Sequence, residues 1–327
     1  MPGTEPRTHR GESDQVTEQE PTLNLTTGTA APAGTTTTVA WNGSASSRAA
    51  LLWAIERERS APGLLLLLTV LDEAYRGFGA AALNELAVAA RQALQAEIDW
   101  IRATEPSLPV TSLLLEGNPD DMILAHCVPG SMLVLGRREG RSPLQRWSRA
   151  ARLASRAPVP VSVVPTAEAS TPGDIPGEVL QRSGVIVGVD GSPASRQACL
   201  TAAAEAHRRQ ETLDIVYAGP VADPVGTDDA ALPRAIVNDC AQEALFAHPA
   251  LTVRRRFVPG PAAPVLLRLA QDKALLVIGS RGRGAVAGFL LGSVSRALVA
   301  NATGPLIVVT EMPSVPDPAR DPAPDSD

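Results

Sequence analysis

The chain has 327 residues, 44% of them hydrophobic, with 35 acidic against 29 basic side chains and a net charge of −6. That is chain enough for about two domains, and the charge gives no overall attraction to nucleic acid. No apolar run reaches transmembrane length, and Cys127, Cys199 and Cys240 are too scattered for a disulfide framework or a zinc site. The N-terminus lacks a hydrophobic signal core, so the expectation is a cytoplasmic protein.

Residues 1–35 are polar and rich in Thr, Glu and Pro, which predicts a disordered tail. Order begins with a β-branched strand at Thr36–Trp41, turned by Asn42-Gly43-Ser44. Ser44 caps a helix from about Ala45 to Arg59. Leu64–Leu71 reads as a buried strand. The stripe Leu83, Leu86, Ala87, Ala90, Leu94, Ile98, Ile101 predicts a long helix from about Phe78 to Thr104. Val110–Leu115 is a third strand. Asn118-Pro119-Asp120-Asp121 opens a helix with acidic residues in its first turn. Ser131–Gly136 and, after a loop and a helix, Val159–Val164 complete a first domain over residues 36–165. Residues 166–183, with Pro172 and Pro176, form the linker.

The pattern then repeats over residues 184–310. Gly184–Asp190 is a strand, Gly191-Ser192-Pro193 a turn with a cap and a Pro at N1, and Ala194–Arg209 a helix. Leu213–Ala218 is a strand, followed by a loop with Asp223, Asp228 and Asp229. Ala231–His248 is a helix and Leu251–Val258 a strand. A further helix ends near Asp272, Ala274–Ile278 is a buried strand, and Pro305–Thr310 is the last. Residues 311–327 are Pro- and Asp-rich, a second disordered tail. Asn42-Gly43-Ser44 matches Asp190-Gly191-Ser192, Gly117 matches Gly260, Gly136 matches Gly279, and Pro160 matches Pro305. The offsets run from 143 to 148 residues, a period long enough for two whole domains. Each domain is expected to be α/β and doubly wound, a roughly five-stranded parallel sheet with helices on both faces. Its ligand would lie beyond the carboxyl ends of the strands.

The chemistry concentrates in the second domain. Gly279, Gly282, Gly284, Gly288 and Gly292 follow a buried strand in quick succession, and Ser293 or Gly292 caps the helix that comes next. Glycine lets a backbone approach a ligand closely. A helix N-terminus beside Arg281 and Arg283 suits phosphates. Asp190 ends the first strand of the same domain, either as a ligand for this crevice or as an Asx turn. A lone lysine, Lys273, excludes a Walker loop. Gly282-x-Gly284-x-x-Ala287 fits a dinucleotide fingerprint loosely, but it follows the fourth strand of the domain where that fingerprint needs the first.

Gly279-x2-Gly282-x9-Gly292-Ser293, together with Val187-Gly188-Val189-Asp190-Gly191-Ser192, resembles the universal stress protein family in its tandem form, ATP-binding branch. The resemblance covers about residues 36–310. It implies that Gly188, Asp190 and Val216 meet the adenine and ribose. It also implies that Gly279, Arg281, Gly282, Arg283, Gly284, Gly292, Ser293, Val294 and Ser295 meet the phosphates of ATP, with Mg²⁺ as the usual companion and the protein's own metal ligands unknown. A nucleotide-dependent signalling protein of the stress response is implied, with a protein partner left unnamed and no catalytic residue. A weak or self-phosphorylating ATPase and a purely structural protein are the alternatives. The family pairs its domains through their final strands, so Val159–Val164 should pair with Leu306–Val309 inside the chain, with a homodimer left open. The first domain departs from the pattern. Asn42 stands for Asp190, Glu139 for Gly282, and Arg149-Ala150 or Trp147-Ser148 for Gly292-Ser293. One nucleotide per chain is therefore expected. The arginines from Arg137 to Arg156 read as a solvated helix face.

Overall fold

The computed structural model of the chain describes residues 36–137, 149–166, 182–219, 231–282 and 291–311. The first half contains β1 (Thr36–Ala40), α1 (Ala45–Arg59), β2 (Leu64–Asp72), a 3₁₀ turn (Glu73–Phe78), α2 (Ala80–Thr104), β3 (Val110–Gly117), α3 (Pro119–Ala125), β4 (Met132–Arg137), α4 (Arg149–Arg156) and β5 (Val161–Pro165). The second contains β6 (Val185–Gly188), α5 (Pro193–Arg209), β7 (Leu213–Gly219), α6 (Ala231–Ala247), β8 (Val253–Pro259), α7 (Ala262–Leu269), β9 (Leu275–Gly279), α8 (Ser293–Asn301) and β10 (Leu306–Val309). The expected tails, most of the expected linker and the loop of Asp223, Asp228 and Asp229 lie outside the described residues.

Helix starts follow the capping chemistry of the sequence. Ser44 and Ser192 accept from the backbone N–H three residues on, and Asn118 accepts from Asp120 and Asp121. The long helix expected from about Phe78 begins at Ala80 and runs unbroken to Thr104. Asp72 caps the 3₁₀ turn, and Gly79 at φ +93° re-aims the chain before α2 begins. The stripe on α2 is buried only at Leu94, Ile98 and Ile101, while Leu86 is 40% exposed, so the first half of this helix overhangs the core.

The strands form one continuous ten-stranded sheet, ordered β3-β2-β1-β4-β5-β10-β9-β6-β7-β8. Every neighbouring pair is parallel except β5 with β10, which run antiparallel with Ile307 opposite Ser162. The final strands thus pair inside the chain, as the sequence predicts, and fuse the two sheets. Alternation along the strands feeds two cores. Leu275 and Val277 join one with α1, α2, α5 and α6; Leu276 and Ile278 join the other with α3, α4, α7 and α8. Both cores run through both halves.

Within the second half the chain leaves β6 toward β7 on one side and returns to β9 on the other. The carboxyl ends of β6 and β9 therefore flank a topological switch point, where an open parallel sheet leaves a crevice. The first half repeats this between β1 and β4.

Candidate nucleotide crevice

At the switch point of the second half lies a cleft of about 560 Å³. Gly188, Asp190, Val216, Gly279, Arg281, Gly282, Gly292, Ser293, Val294 and Ser295 all line it, so the sequence candidates from four separate stretches meet at one place. Arg283 and Gly284 lie outside the described residues. One wall is apolar, from Val189, Val216, Leu266, Ile278 and Leu291. Arg281 and Arg296 line it as well. Apolar lining together with arginines suits a planar base and an anion in one ligand.

Two readings of Asp190 meet in one carboxylate. Oδ1 accepts from the Ser192 amide at 3.0 Å and the Ser192 hydroxyl at 2.6 Å, the Asx turn that starts α5. Oδ2 faces Gly282: a Cβ on Gly282 would stand 2.4 Å from it. A side chain at position 282 therefore displaces the Asp190 carboxylate.

The loop after β9 is pinned at its neck, because the Gly292 amide donates to the Ser280 carbonyl at 2.8 Å. Gly292, not Ser293, is the N-cap of α8, and among the described residues no side chain caps this helix. The α8 N-terminus therefore opens on the cleft with its partial positive charge uncovered by any cap side chain. Ser295 instead turns its hydroxyl onto the Gly279 carbonyl at 2.7 Å, tying helix to strand.

Gly279 has a different reason for being glycine from the one the resemblance implied. A Cβ there would come within 2.8 and 2.9 Å of backbone atoms of Ala194 and Ser195. Its bareness lets the first turn of α5 rest on the strand end. Gly136 does the same in the first half, where a Cβ would stand 1.9 Å from the Ser46 carbonyl oxygen.

Arg296, Leu266 and Ala262 line the cleft without having been singled out in the sequence. The signal for Arg296 was present: it lies three residues beyond Ser293 and so shares its helix face. Ala262 and Leu266 lie four residues apart on one face of α7, but nothing local says that α7 closes over β6.

The matching crevice of the first half holds about 110 Å³. Trp41, counterpart of Val189, lines it, as does Arg149. Arg149 and Arg152 both reach Asp120 on α3, at 3.0 and 2.8 Å, and Arg156 reaches Asp121 at 3.2 Å. These arginines keep the solvent exposure expected of them, their side chains 44–51% exposed, and also tie α4 to α3.

Comparison with known proteins agrees with this architecture. The sequence profile of the universal stress protein family matches residues 35–165 and again 183–310. Universal stress protein Rv2005c of Mycobacterium tuberculosis is 33% identical over 213 residues, 62% of this chain and 70% of that protein. Universal stress protein Rv1996 of the same organism is 36% identical over 163 residues, 42% of this chain, so the chain spans about half the length of that relative. Among solved structures, a universal stress protein from Archaeoglobus fulgidus covers 84% of this chain with a TM-score of 0.63 at 17% identity, a likeness of fold. Another universal stress protein, solved in complex with cAMP, overlaps 39% of the chain at 27% identity with a TM-score of 0.34, too slight an overlap to carry its ligand across. With both halves matched by the profile, the chain belongs to the universal stress protein family.

Proposed function

We propose that this protein binds one ATP per chain, in the crevice between β6 and β9, and acts as a nucleotide-dependent signalling protein of the stress response. The observation that carries the reading is the contrast between the two crevices: about 560 Å³ at one switch point against about 110 Å³ at the other. The adenine and ribose would lie against Val189, Val216 and Leu266, with Asp190 accepting from a ribose hydroxyl. The phosphates would meet Gly282, the Ser293 hydroxyl, the α8 N-terminus, Arg281 and Arg296.

Among the described residues no group of three or more His, Cys, Asp or Glu could hold a metal ion. Mg²⁺ would enter as the counter-ion of the phosphates, with Ser293 and Asp190 among the oxygen-bearing side chains that line the cleft. Also among the described residues, no helix is long and apolar enough to cross a membrane.

The test is calorimetric titration with ATP, with and without Mg²⁺, on the wild type and on Gly282→Glu. One site per chain, lost in the variant, is the expected result. Two equivalent sites, or none in the wild type, overturns the reading.

A further inference from the structure

The seam between the halves is built around a local two-fold axis, and one buried ion pair lies across it. Ile307 and Ser162 face each other in the β5–β10 ladder, and they are counterparts under the offset that matches Pro160 with Pro305. Near such an axis each position meets its own counterpart. Under the offset that matches Ser44 with Ser192, the counterpart of Arg57 on α1 is Glu205 on α5. These two residues touch. Arg57 donates from Nε at 2.9 Å and from Nη2 at 2.6 Å to Glu205 Oε1. Arg57 is 8% exposed and Glu205 2%. Two copies of the first half paired in this way would set Arg57 against Arg57, and two copies of the second would set Glu205 against Glu205, in both cases away from water.

We propose that Arg57 and Glu205 make this seam selective: each half accepts the opposite half and rejects a copy of itself. The aliphatic positions of the strand edge cannot discriminate. Val161, Val163, Leu306 and Val308 are fully buried or nearly so and would pack against either partner. The charges can. Arg57 is fixed on its own side by Glu58, which accepts from its Nη1 at 2.5 Å, and Glu58 is in turn held by the Thr37 hydroxyl and the Gly63 amide. The second oxygen of Glu205 has no hydrogen-bond partner among the described residues. Arg57 thus supplies both hydrogen bonds to this buried carboxylate, beside the electrostatic contribution of Arg208 on the same helix.

Two arginines make further bonds across the seam that run one way only. Arg137 donates to the carbonyls of Ala300 and Ala302 at the end of α8, and Arg208 donates to that of Ala61. Their counterparts are Ser280 and Ser60, which are too short to return the contact. A seam between identical halves would lack one or the other.

The experiment is a charge-reversal cycle in the full chain: Arg57→Glu, Glu205→Arg, and both together, read by thermal midpoint and by mass from light scattering. Each single reversal should lower the midpoint by roughly 5–10 °C, as expected for a broken buried pair in a chain of this size. The double reversal should recover at least half of the loss and run as a monomer. It serves also as the control for folding, since it carries both substitutions. An equimolar mixture of the two single variants, annealed by warming and cooling, should give a 1:1 complex that neither gives alone. Single variants that melt within about 2 °C of the wild type, or a double variant in which the two losses add, overturn the proposal. So does self-association of either single variant to the same extent as the mixture.

Discussion

The two crevices have the same frame and different contents. Both sit at a switch point, both are entered by a serine-capped helix, and both keep the glycine on which that helix rests, Gly136 in one and Gly279 in the other. The second crevice alone has Gly282 and Gly292. A glycine present in both halves therefore serves the fold, and a glycine present in one is a candidate for serving a ligand. The same comparison separates Asp190 from Asn42. Each accepts from the serine two residues on, at 3.0 and 3.2 Å for the backbone amide, so the turn needs only a side-chain oxygen and not a charge. What the charge adds must lie outside the turn.

The largest expected effect breaks the comparison by copying Arg149 into the open crevice. Gly292→Arg should weaken ATP binding by roughly 100-fold or more, since the side chain would fill the space at the α8 N-terminus. Gly292→Ala should bind nearly as the wild type, because a Cβ there meets only ordinary contacts, the nearest at 3.4 Å from the Ser280 carbonyl oxygen. Equal losses in the two variants would show that backbone freedom at 292, not room, is what matters.

Asp190→Asn comes next. It retains the turn and removes the charge, so it should cost about tenfold in ATP affinity with an unchanged melting midpoint. Wild-type affinity in this variant would reduce Asp190 to its turn. Smaller still is the effect expected at Arg137, where the first half holds the far end of the helix that opens on the cleft. Arg137→Ala should weaken ATP binding about threefold and lower the midpoint by a few degrees. A midpoint shift without any change in affinity would make the residue purely structural.

The smallest effect uses acid to tell the halves apart. At matching places the first half has the ion pair of Arg59 with Glu105, 2.5 Å apart, and the second has the stacked rings of His207 and His248, 4.6 Å between centroids. The hydrogen bond to Glu105 raises the Arg59 pKa further, so Arg59 keeps its charge near neutrality. Burial, and secondarily the charge of His207, hold His248 below the ordinary histidine range. The folded protein then takes up that proton less readily than the unfolded chain. This contribution to stability is complete above pH 6.5 and fades as the pH falls below it. Melting from pH 7.5 to pH 5.5 should show a small loss of midpoint that His248→Gln reduces. An identical profile in the variant would assign the acid sensitivity elsewhere.

Much of the fold was legible because its signals are local. Capping serines, Pro119 and Pro193 at the first helical positions, and short β-branched runs act within a few residues. The start of α2 was legible to within two residues, though not the 3₁₀ turn before it or the bend at Gly79, φ +93°. How much of the α2 stripe is buried was not legible, since periodicity marks the apolar face of a helix but not how far the core extends beneath it. The candidate site was legible as far as the glycines, Asp190 and Ser293. Its apolar wall, and the closure of the other crevice by Trp41 and by Arg149 with Asp120, depended on which elements stack.

By itself the sequence determined the duplication, the order of strands and helices, and the loss of the second-half glycines from the first half. Each is written in spacing or residue type along a short stretch. Tertiary structure alone decided that Gly279 serves helix packing, that one crevice is several times larger than the other, and that Arg57 meets Glu205. Those facts join residues from about 50 to nearly 150 positions apart, and their adjacency is fixed by the parallel order of the strands and the single antiparallel ladder at β5 and β10.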